Sequence, residues 1–190
     1  MADLIARIGS TKVRSEAELS VYQSLARAIV YQMLSTKSAA AIYARLLQCC
    51  GEVVTPQSVL SAGETTLREI GFSRAKVASI LDLSSKVSDG SVPPDTVLVK
   101  MSDNELIDCL TQVKGIGQWT VEMLLIFNLG RADVFPATDL GVRKGYMLAY
   151  ADNDLLPPAQ LLAVAEQWKP FRTAAAWYLW RATDSVDWSQ

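Results

Sequence analysis

The sequence predicts an all-α fold of about ten short helices, because its apolar residues follow a helical period nearly everywhere. Leu25, Ile29 and Met33 recur at intervals of four residues, which places them on one face of a helix. Only two segments, Val53–Val54 and Thr96–Val99, have a strand-like composition. Both are too short to build a sheet, so helices should form the whole core.

Local capping signals mark where several helices begin. Thr55 followed by Pro56 is a capping residue followed by a first-turn proline. Ser73 precedes an apolar stretch, and Ser102 with Glu105 forms a capping box that satisfies two backbone N–H groups. Further helices are expected around Ile42 and Leu46 and near residues 118–129, 140–150, 158–168 and 171–183.

Composition limits the chemistry that this chain can perform. Its 190 residues suffice for one domain or two small lobes, and 50% hydrophobic against 20% charged residues is a globular composition. The absence of histidine excludes Ser-His-Asp and Cys-His nucleophilic sites and any His-ligated metal. Three cysteines cannot supply a four-thiolate zinc or iron–sulfur site. Carboxylates, lysines, hydroxyls, aromatic rings and backbone groups remain.

The cysteines and the amino terminus bear on location. Cys49, Cys50 and Cys109 follow no disulfide framework, which favours a reducing compartment. The first ten residues do not resemble a signal peptide, and no apolar run is long enough for a membrane helix. We therefore expect a cytoplasmic protein, associated with the nucleoid if it is bacterial, with no membrane partner. Its net charge of −2 does not by itself predict a nucleic-acid ligand.

Two glycines separate a pair of apolar helices. Gly115 and Gly117 form a tight turn, and the next helix begins close to Trp119. Unsatisfied N–H groups at the start of that helix can hold a phosphate. The segment is neither a Rossmann fingerprint nor a P-loop. A plain helix–helix connection with a glycine cap is the alternative.

An aspartate lies twenty residues beyond Trp119 (139 − 119). Asp139 follows a proline-containing turn and stands where another helix is expected to begin. A carboxylate there could act in catalysis. It could equally serve only as a helix N-cap, which is a common role of aspartate.

These segments resemble the helix-hairpin-helix DNA glycosylase superfamily, and within it the branch of bacterial 3-methyladenine DNA glycosylase II. The family pattern is G-I-G-x-W-T, then D-V-F, with an Asp six positions after the first residue of D-V-F; residues 115–120, 133–135 and 139 match it. Three further family segments match in order at residues 27–35, 71–77 and 166–172. The likeness runs from about residue 20 to residue 182, nearly the whole chain.

The resemblance implies hydrolysis of the N-glycosidic bond of alkylated purines in duplex DNA during base excision repair. Asp139 matches the catalytic aspartate. Trp119 stands where strand-cutting relatives carry a lysine, so a monofunctional glycosylase is implied. Lys114 and Lys144 lie near in sequence but not at that position, which leaves a lysine-based lyase as the alternative.

The resemblance also assigns binding residues. The base pocket would contain Trp119, Trp180 and Met123, with core packing as the alternative for each tryptophan. Met123 and Arg181 replace aromatic residues of the longer bacterial enzyme, so the pocket should differ from that of the bacterial enzyme. The residues expected to contact DNA are Gln32, Met33, Gly115, Gly117 and Thr120; for Met33, core packing is the alternative.

No cofactor is expected to be required. The family's hairpin can hold Na⁺ or K⁺ through backbone carbonyls, which here would belong to Thr111, Val113 and Gly115. The iron–sulfur loop of other relatives and the extra N-terminal β-domain of the longer enzyme have no counterpart in the sequence. The only partner expected is double-stranded DNA containing alkylated bases, bound by a monomer.

The resemblance predicts one glycosylase core over residues 1–190, with the hairpin at 106–129. One helical lobe would span about residues 30–125, the other about 1–29 with 126–190, and the hairpin and Asp139 would face a cleft between them. Three alternatives stay open: a non-catalytic DNA-binding module, a glycosylase for another damaged base, and a structural or protein-interaction domain. An excision assay distinguishes a glycosylase from a non-catalytic DNA-binding module, and salt-dependent DNA affinity distinguishes both from a structural or protein-interaction domain.

Overall fold

Helices form all the regular structure of the described residues. The computed structural model describes residues 1–11, 13, 19–150 and 154–184, and within these ranges it contains no strand. The α-helices are α1 (Ala2–Ile8), α2 (Val21–Tyr31), α3 (Thr36–Cys49), α4 (Pro56–Glu69), α5 (Arg74–Ser88), α6 (Asp95–Leu98), α7 (Asp103–Leu110), α8 (Gln118–Phe127), α9 (Leu140–Tyr150), α10 (Pro158–Ala165) and α11 (Arg172–Asp184), and Glu166–Trp168 forms a 3-10 helix. The predicted all-α class is confirmed, and the strand-like segment at 96–99 largely falls in α6.

The predicted helix starts are confirmed because they depend on local chemistry. Thr55 caps α4 and Pro56 is its first residue. Ser73 caps α5 through its hydroxyl, and Ser102 and Glu105 form both bonds of the capping box before α7. Each such cap stabilises the folded chain by about 1 kcal/mol.

The helical assignment of Met33 is wrong. Leu25 and Ile29 lie in the core as predicted, but α2 ends at Tyr31. The backbone leaves the helical conformation at Gln32, which has φ −52° and ψ 130°. Met33 then has φ 56°, and its side chain is fully exposed. The third apolar position of the spacing therefore belongs to a turn.

The chain divides into two compact units. We call residues 17–124 the central unit and residues 1–16 with 125–190 the terminal unit. The predicted division placed residues 17–29 with the chain ends, whereas they belong to the central unit. The reason is that α2 is bonded to α5: the hydroxyls of Tyr22 and Ser84 are 2.8 Å apart, and Lys76 Nζ donates to the Val30 carbonyl.

Each unit has its own apolar interior. In the central unit the completely buried side chains include Leu25, Ile29, Leu46, Leu67, Ile80, Leu106 and Leu110. The core of the terminal unit includes Leu4, Phe135, Val142, Leu161, Tyr178 and Leu179. Truncating one such leucine to alanine costs about 2–5 kcal/mol. No helix in the described part of the chain is long and apolar enough to cross a membrane.

Candidate active site and DNA-contacting turns

Asp139 caps helix α9 in the terminal unit. Its Oδ1 accepts a hydrogen bond of 2.8 Å from the amide of Val142, and its backbone carbonyl accepts one of 3.0 Å from the amide of Arg143. The Asp139 amide in turn donates to the carbonyl of Pro136, which closes the preceding turn. The capping role considered from the sequence is therefore present. It also holds a half-buried carboxylate at a helix N-terminus, where the helix dipole stabilises negative charge.

Trp180 hydrogen-bonds to the same carboxylate oxygen. Its indole Nε1, on helix α11, donates to Asp139 Oδ1 over 2.8 Å, although the two residues are 41 positions apart. Two donors on Oδ1 fix the orientation of the carboxylate plane, and bonds to a charged acceptor are stronger than bonds between neutral groups. Trp180 is thus in direct contact with the proposed catalytic group.

Gly141 makes room for this contact. A Cβ at this position would lie 2.9 Å from Trp180 Cδ1 and 3.0 Å from Asp139 Oδ1, which is too close for carbon. The sequence reasoning missed Gly141. A signal was available, since a glycine in the first turn of a helix weakens the helix and calls for a packing reason.

Phe127, at the end of α8, is a second residue that the sequence reasoning missed. Its ring stacks on that of Trp180, with centroids 5.8 Å apart and planes inclined by 27°. The side chain of Phe127 is 43% exposed. Nothing in the sequence distinguishes this phenylalanine from the other apolar residues of α8. We call Phe127, Asp139, Gly141 and Trp180 the Asp139 site.

An ion pair fixes the segment that leads to Asp139. Asp133 accepts two hydrogen bonds from the Arg172 guanidinium, at 2.8 Å and 3.0 Å, and one from the Arg172 amide. The Arg172 side chain holds the pKa of the Asp133 carboxyl below its usual value. Thr173 reinforces the junction, since its hydroxyl oxygen accepts a bond from the Val134 amide. The D-V-F segment and the end of the 166–172 segment, both family matches, meet here at the start of α11.

The glycine turn belongs to the central unit and is supported by α5. Gly115 has φ 75°, and a Cβ there would overlap the hydroxyl of Ser79. Asp82 Oδ2 accepts a bond of 2.9 Å from the Lys114 amide and one of 2.7 Å from Lys86 Nζ. Burial alone would raise the pKa of Asp82, but these bonds outweigh it and hold that pKa below its usual value.

The start of α8 presents some of the predicted DNA contacts and buries another. Gly117 is exposed, directly before the first helical residue, so its amide lies where helices leave N–H groups without internal acceptors. Thr120, which the resemblance assigns to DNA contact, is only 7% exposed, and its amide donates to the Gly117 carbonyl over 3.0 Å.

Trp119 and Met123 lie one turn apart on α8, on the same face of the helix. The side chain of Trp119 is 45% exposed, and that of Met123 is half-buried. Such exposure argues against the alternative that Trp119 is a core residue. Both residues belong to the central unit, whereas Asp139 and Trp180 belong to the terminal unit.

Met33 projects from the turn between α2 and α3. Its side chain is fully exposed and that of Leu34 is 40% exposed, so core packing of Met33 is ruled out. A positive φ costs a residue with a side chain about 1–2 kcal/mol, so surrounding contacts must hold it. One such contact joins two predicted DNA-binding residues: Gln32 Nε2 donates to the Gly115 carbonyl over 2.9 Å. Residues 32–35 are called the Met33 turn below.

The carbonyls expected to bind a monovalent cation belong to the turn after α7. The Val113 carbonyl accepts the amide of Ile116, and that of Gly115 accepts Gln32. Each carbonyl oxygen has a second lone pair, so neither bond prevents coordination. These two and the Thr111 carbonyl are uncharged oxygen donors, the kind of ligand that a hard monovalent cation accepts.

The all-helical fold, the glycine turn and the capped Asp139 define a recognised class of protein. The chain belongs to the HhH-GPD superfamily of base excision DNA repair proteins, whose family model matches residues 26–170. The family predicted from the sequence is therefore confirmed.

Similar proteins carry the names of alkylated-base glycosylases. The chain is 38% identical over 179 residues to DNA-3-methyladenine glycosylase 1 of Schizosaccharomyces pombe, covering 93% of this chain and 78% of that protein. It resembles the structure of the S. pombe 3-methyladenine DNA glycosylase Mag1 in complex with abasic DNA, with TM-score 0.85, 36% identity, and coverage of 100% and 93%. A DNA-3-methyladenine glycosidase from Bacillus halodurans gives TM-score 0.88 at 32% identity, with coverage of 97% and 84%.

Proposed function

We propose that this chain is a monofunctional DNA glycosylase that hydrolyses the N-glycosidic bond of alkylated purines, of the 3-methyladenine type, in duplex DNA. The observation that carries the proposal is the Asp139 site, in which Trp180 and Val142 orient one carboxylate at a helix N-terminus. Family membership and the names of the similar proteins supply the reaction class. The product would be an abasic site, which other enzymes of base excision repair then process.

Asp139 is the proposed catalytic group. As the glycosidic bond lengthens, positive charge develops on the deoxyribose, and a fixed carboxylate stabilises that charge without having to reorganise. The carboxylate also orients the attacking water. The two donors on Oδ1 keep this oxygen in place before substrate arrives, so little freedom is lost during the reaction.

The exposed aromatic side chains suit the substrate. An alkylated purine such as 3-methyladenine is cationic, and an indole face attracts a cation by about 0.5–2 kcal/mol. Trp119, Trp180 and Met123 are the proposed pocket residues, to which the geometry adds Phe127 through its stacking on Trp180. A cationic base is already a good leaving group, so the reaction needs little acid assistance and no histidine.

The Met33 turn and the glycine turn are the proposed DNA contacts. The base must leave the duplex at a cost of a few kcal/mol, and an apolar side chain inserted in its place offsets part of that cost. Met33 is fully exposed and apolar, which suits insertion, and Gln32 is next to it. Gly115 and Gly117 would lie against a phosphate, which the amides of Gly117 and Trp119 would hold. Na⁺ or K⁺ on the carbonyls of Thr111, Val113 and Gly115 would add positive charge beside it.

No cofactor is proposed for the reaction. The proposed acting form is a monomer bound to duplex DNA that contains alkylated bases. The proposed location is the cytoplasm, and in a bacterium the nucleoid. Tryptophan at position 119 supports hydrolysis without strand cleavage, since indole cannot form a Schiff base with the sugar.

The direct test measures the release of free bases from methylated duplex DNA. The purified chain should release 3-methyladenine, with 7-methylguanine, 1-methyladenine and hypoxanthine compared in the same panel. Asp139→Asn prepared identically controls for a contaminating glycosylase. DNA binding with salt-dependent affinity but no release of any base would instead indicate a non-catalytic DNA-binding module.

A further inference from the structure

Two contacts between residues distant in sequence lie at the Met33 turn and at the end of α2 just before it. At the turn, Gln32 Nε2 donates to the Gly115 carbonyl. At the end of α2, Lys76 Nζ donates to the Val30 carbonyl over 2.6 Å. Lys76 lies in the first turn of α5, where the Ser73 hydroxyl oxygen accepts its amide. The first contact ties the Met33 turn to the glycine turn, and the second ties the end of α2, just before the Met33 turn, to α5.

The Val30 carbonyl needs a partner because of how α2 ends. The last four carbonyls of a helix have no internal amide to accept. In a continuing helix the Val30 carbonyl would accept the amide of Leu34, four residues further on. Here the Leu34 amide donates to the Tyr31 carbonyl instead. Val30 itself is completely buried, so water cannot easily replace the missing donor. The Lys76 ammonium group donates to this carbonyl, and its positive charge lies at the negative end of the helix dipole.

Lys76 is poorly placed to contact DNA itself. Its side chain is half-buried, and burial lowers the pKa of its ammonium group. Its bond is to Val30, the last buried residue of α2, three residues before the strained backbone of Met33. A shift of the Val30 carbonyl would change the direction in which Met33 projects. The lysine is thus in a position to govern how the turn is presented.

We propose that Lys76 is a positioning residue for DNA distortion: its bond to Val30 holds the Met33 turn in the conformation that inserts Met33 into the duplex. This inference rests on the proposed function and deepens it. Lys76 would act only through Met33, with no contact to substrate or to a phosphate.

The chain offers a matched control. Arg45 also belongs to the central unit and donates from Nη1 to a helix-end carbonyl, that of Ile70 at the end of α4, over 3.2 Å. Lys76→Met and Arg45→Met therefore each remove one positive charge and one bond to a helix end. Only the first removes a support of the Met33 turn.

The test is a double-mutant cycle on single-turnover excision from alkylated duplex. Lys76→Met should slow excision about tenfold, and in a Met33→Ala background it should add no more than about twofold. Arg45→Met should change the rate by less than about twofold in either background. Lys76→Arg, which keeps a charged donor, should restore the wild-type rate. Equal losses from Lys76→Met in both backgrounds would overturn the proposal.

Two further readouts complete the experiment. The salt slope of DNA binding should be the same for Lys76→Met and wild type, whereas loss of a phosphate contact would reduce it by about 0.9. Fluorescence of a 2-aminopurine beside an abasic-site analogue measures distortion without excision, and both Lys76→Met and Met33→Ala should diminish its rise. If wild type distorts DNA but excises nothing, the proposed function fails, and this inference stands when both variants diminish the fluorescence rise and fails when they do not. If wild type produces no fluorescence change, the inference fails. Lys76→Leu, which also lacks a donor, replaces Lys76→Met throughout if that variant does not fold.

Discussion

The indole N–H of Trp180 donates to Oδ1 of Asp139 over 2.8 Å and so joins helix α11 to the first residue before helix α9. The Val142 amide donates to the same oxygen, also over 2.8 Å. A carboxylate held by two donors has a defined orientation before substrate binds. Trp180 therefore orients the carboxylate in addition to lining the proposed pocket. This orienting role can be tested apart from the charge of Asp139.

Trp180→Phe removes the indole donor and keeps an aromatic ring next to Phe127. A hydrogen bond to a charged group contributes about 1.5–3 kcal/mol, so single-turnover excision should fall about tenfold or more. Affinity for duplex DNA should stay within about twofold of wild type, because the phenylalanine keeps an aromatic ring in the proposed pocket and no proposed phosphate contact is changed. Trp177→Phe, on the same helix, is the matched control and should excise at the wild-type rate. Equal losses from the two variants would mean that the indole bond has no special role.

Gly141→Ala should reproduce the Trp180→Phe defect by a different route. Its new Cβ would lie 2.9 Å from Trp180 Cδ1, so the indole must move away from Asp139. Excision rates are measured for the single variants and for the double variant. The excision rate of the double variant should lie within about twofold of the rate of the slower single variant. If the fold-loss of the double variant equals the product of the two single fold-losses, Gly141 acts independently of the Trp180 contact.

Borohydride trapping tests the monofunctional mechanism. With tryptophan at position 119, the chain lacks the lysine that forms a Schiff base in strand-cutting relatives. Incubation with alkylated duplex and sodium borohydride should leave no covalent protein–DNA adduct on a denaturing gel. An adduct that is lost in Lys114→Gln or Lys144→Gln would identify a lyase and overturn this assignment.

The Asp133–Arg172 pair should make stability sensitive to acid. The Arg172 guanidinium holds the pKa of the Asp133 carboxyl below its usual value. The carboxylate therefore stabilises the folded chain at pH values above the pKa of an unfolded aspartate, about 3.9, and this stability is lost as pH falls through the lower folded-state pKa. The measurement is the urea unfolding free energy of wild type and Asp133→Asn between pH 6 and pH 2. Wild type should be the more stable at pH 6, and the difference should shrink toward acid. A difference that grows toward acid would contradict the assigned pair.

The parts of the fold that were predicted correctly depend on neighbours in sequence. The Thr55 cap and the Ser102–Glu105 box form within one turn of helix, and Asp139 stands at a helix start for the same reason. The Trp180–Asp139 bond joins residues 41 positions apart, and a local pattern contains no information about such a contact. Apolar spacing failed at Met33 because a turn residue can match the period by chance.

Asp139→Asn tests the central claim, which is that one fixed carboxylate performs the chemistry. Asparagine caps helices as well as aspartate does, and its Oδ1 can accept the bonds from Val142 and Trp180, so the fold should be retained and only the charge lost. Single-turnover excision of 3-methyladenine should fall at least about 100-fold, with affinity for abasic-site DNA within about threefold of wild type. Excision within about threefold of wild type would show that Asp139 is a helix cap and that the catalytic group lies elsewhere.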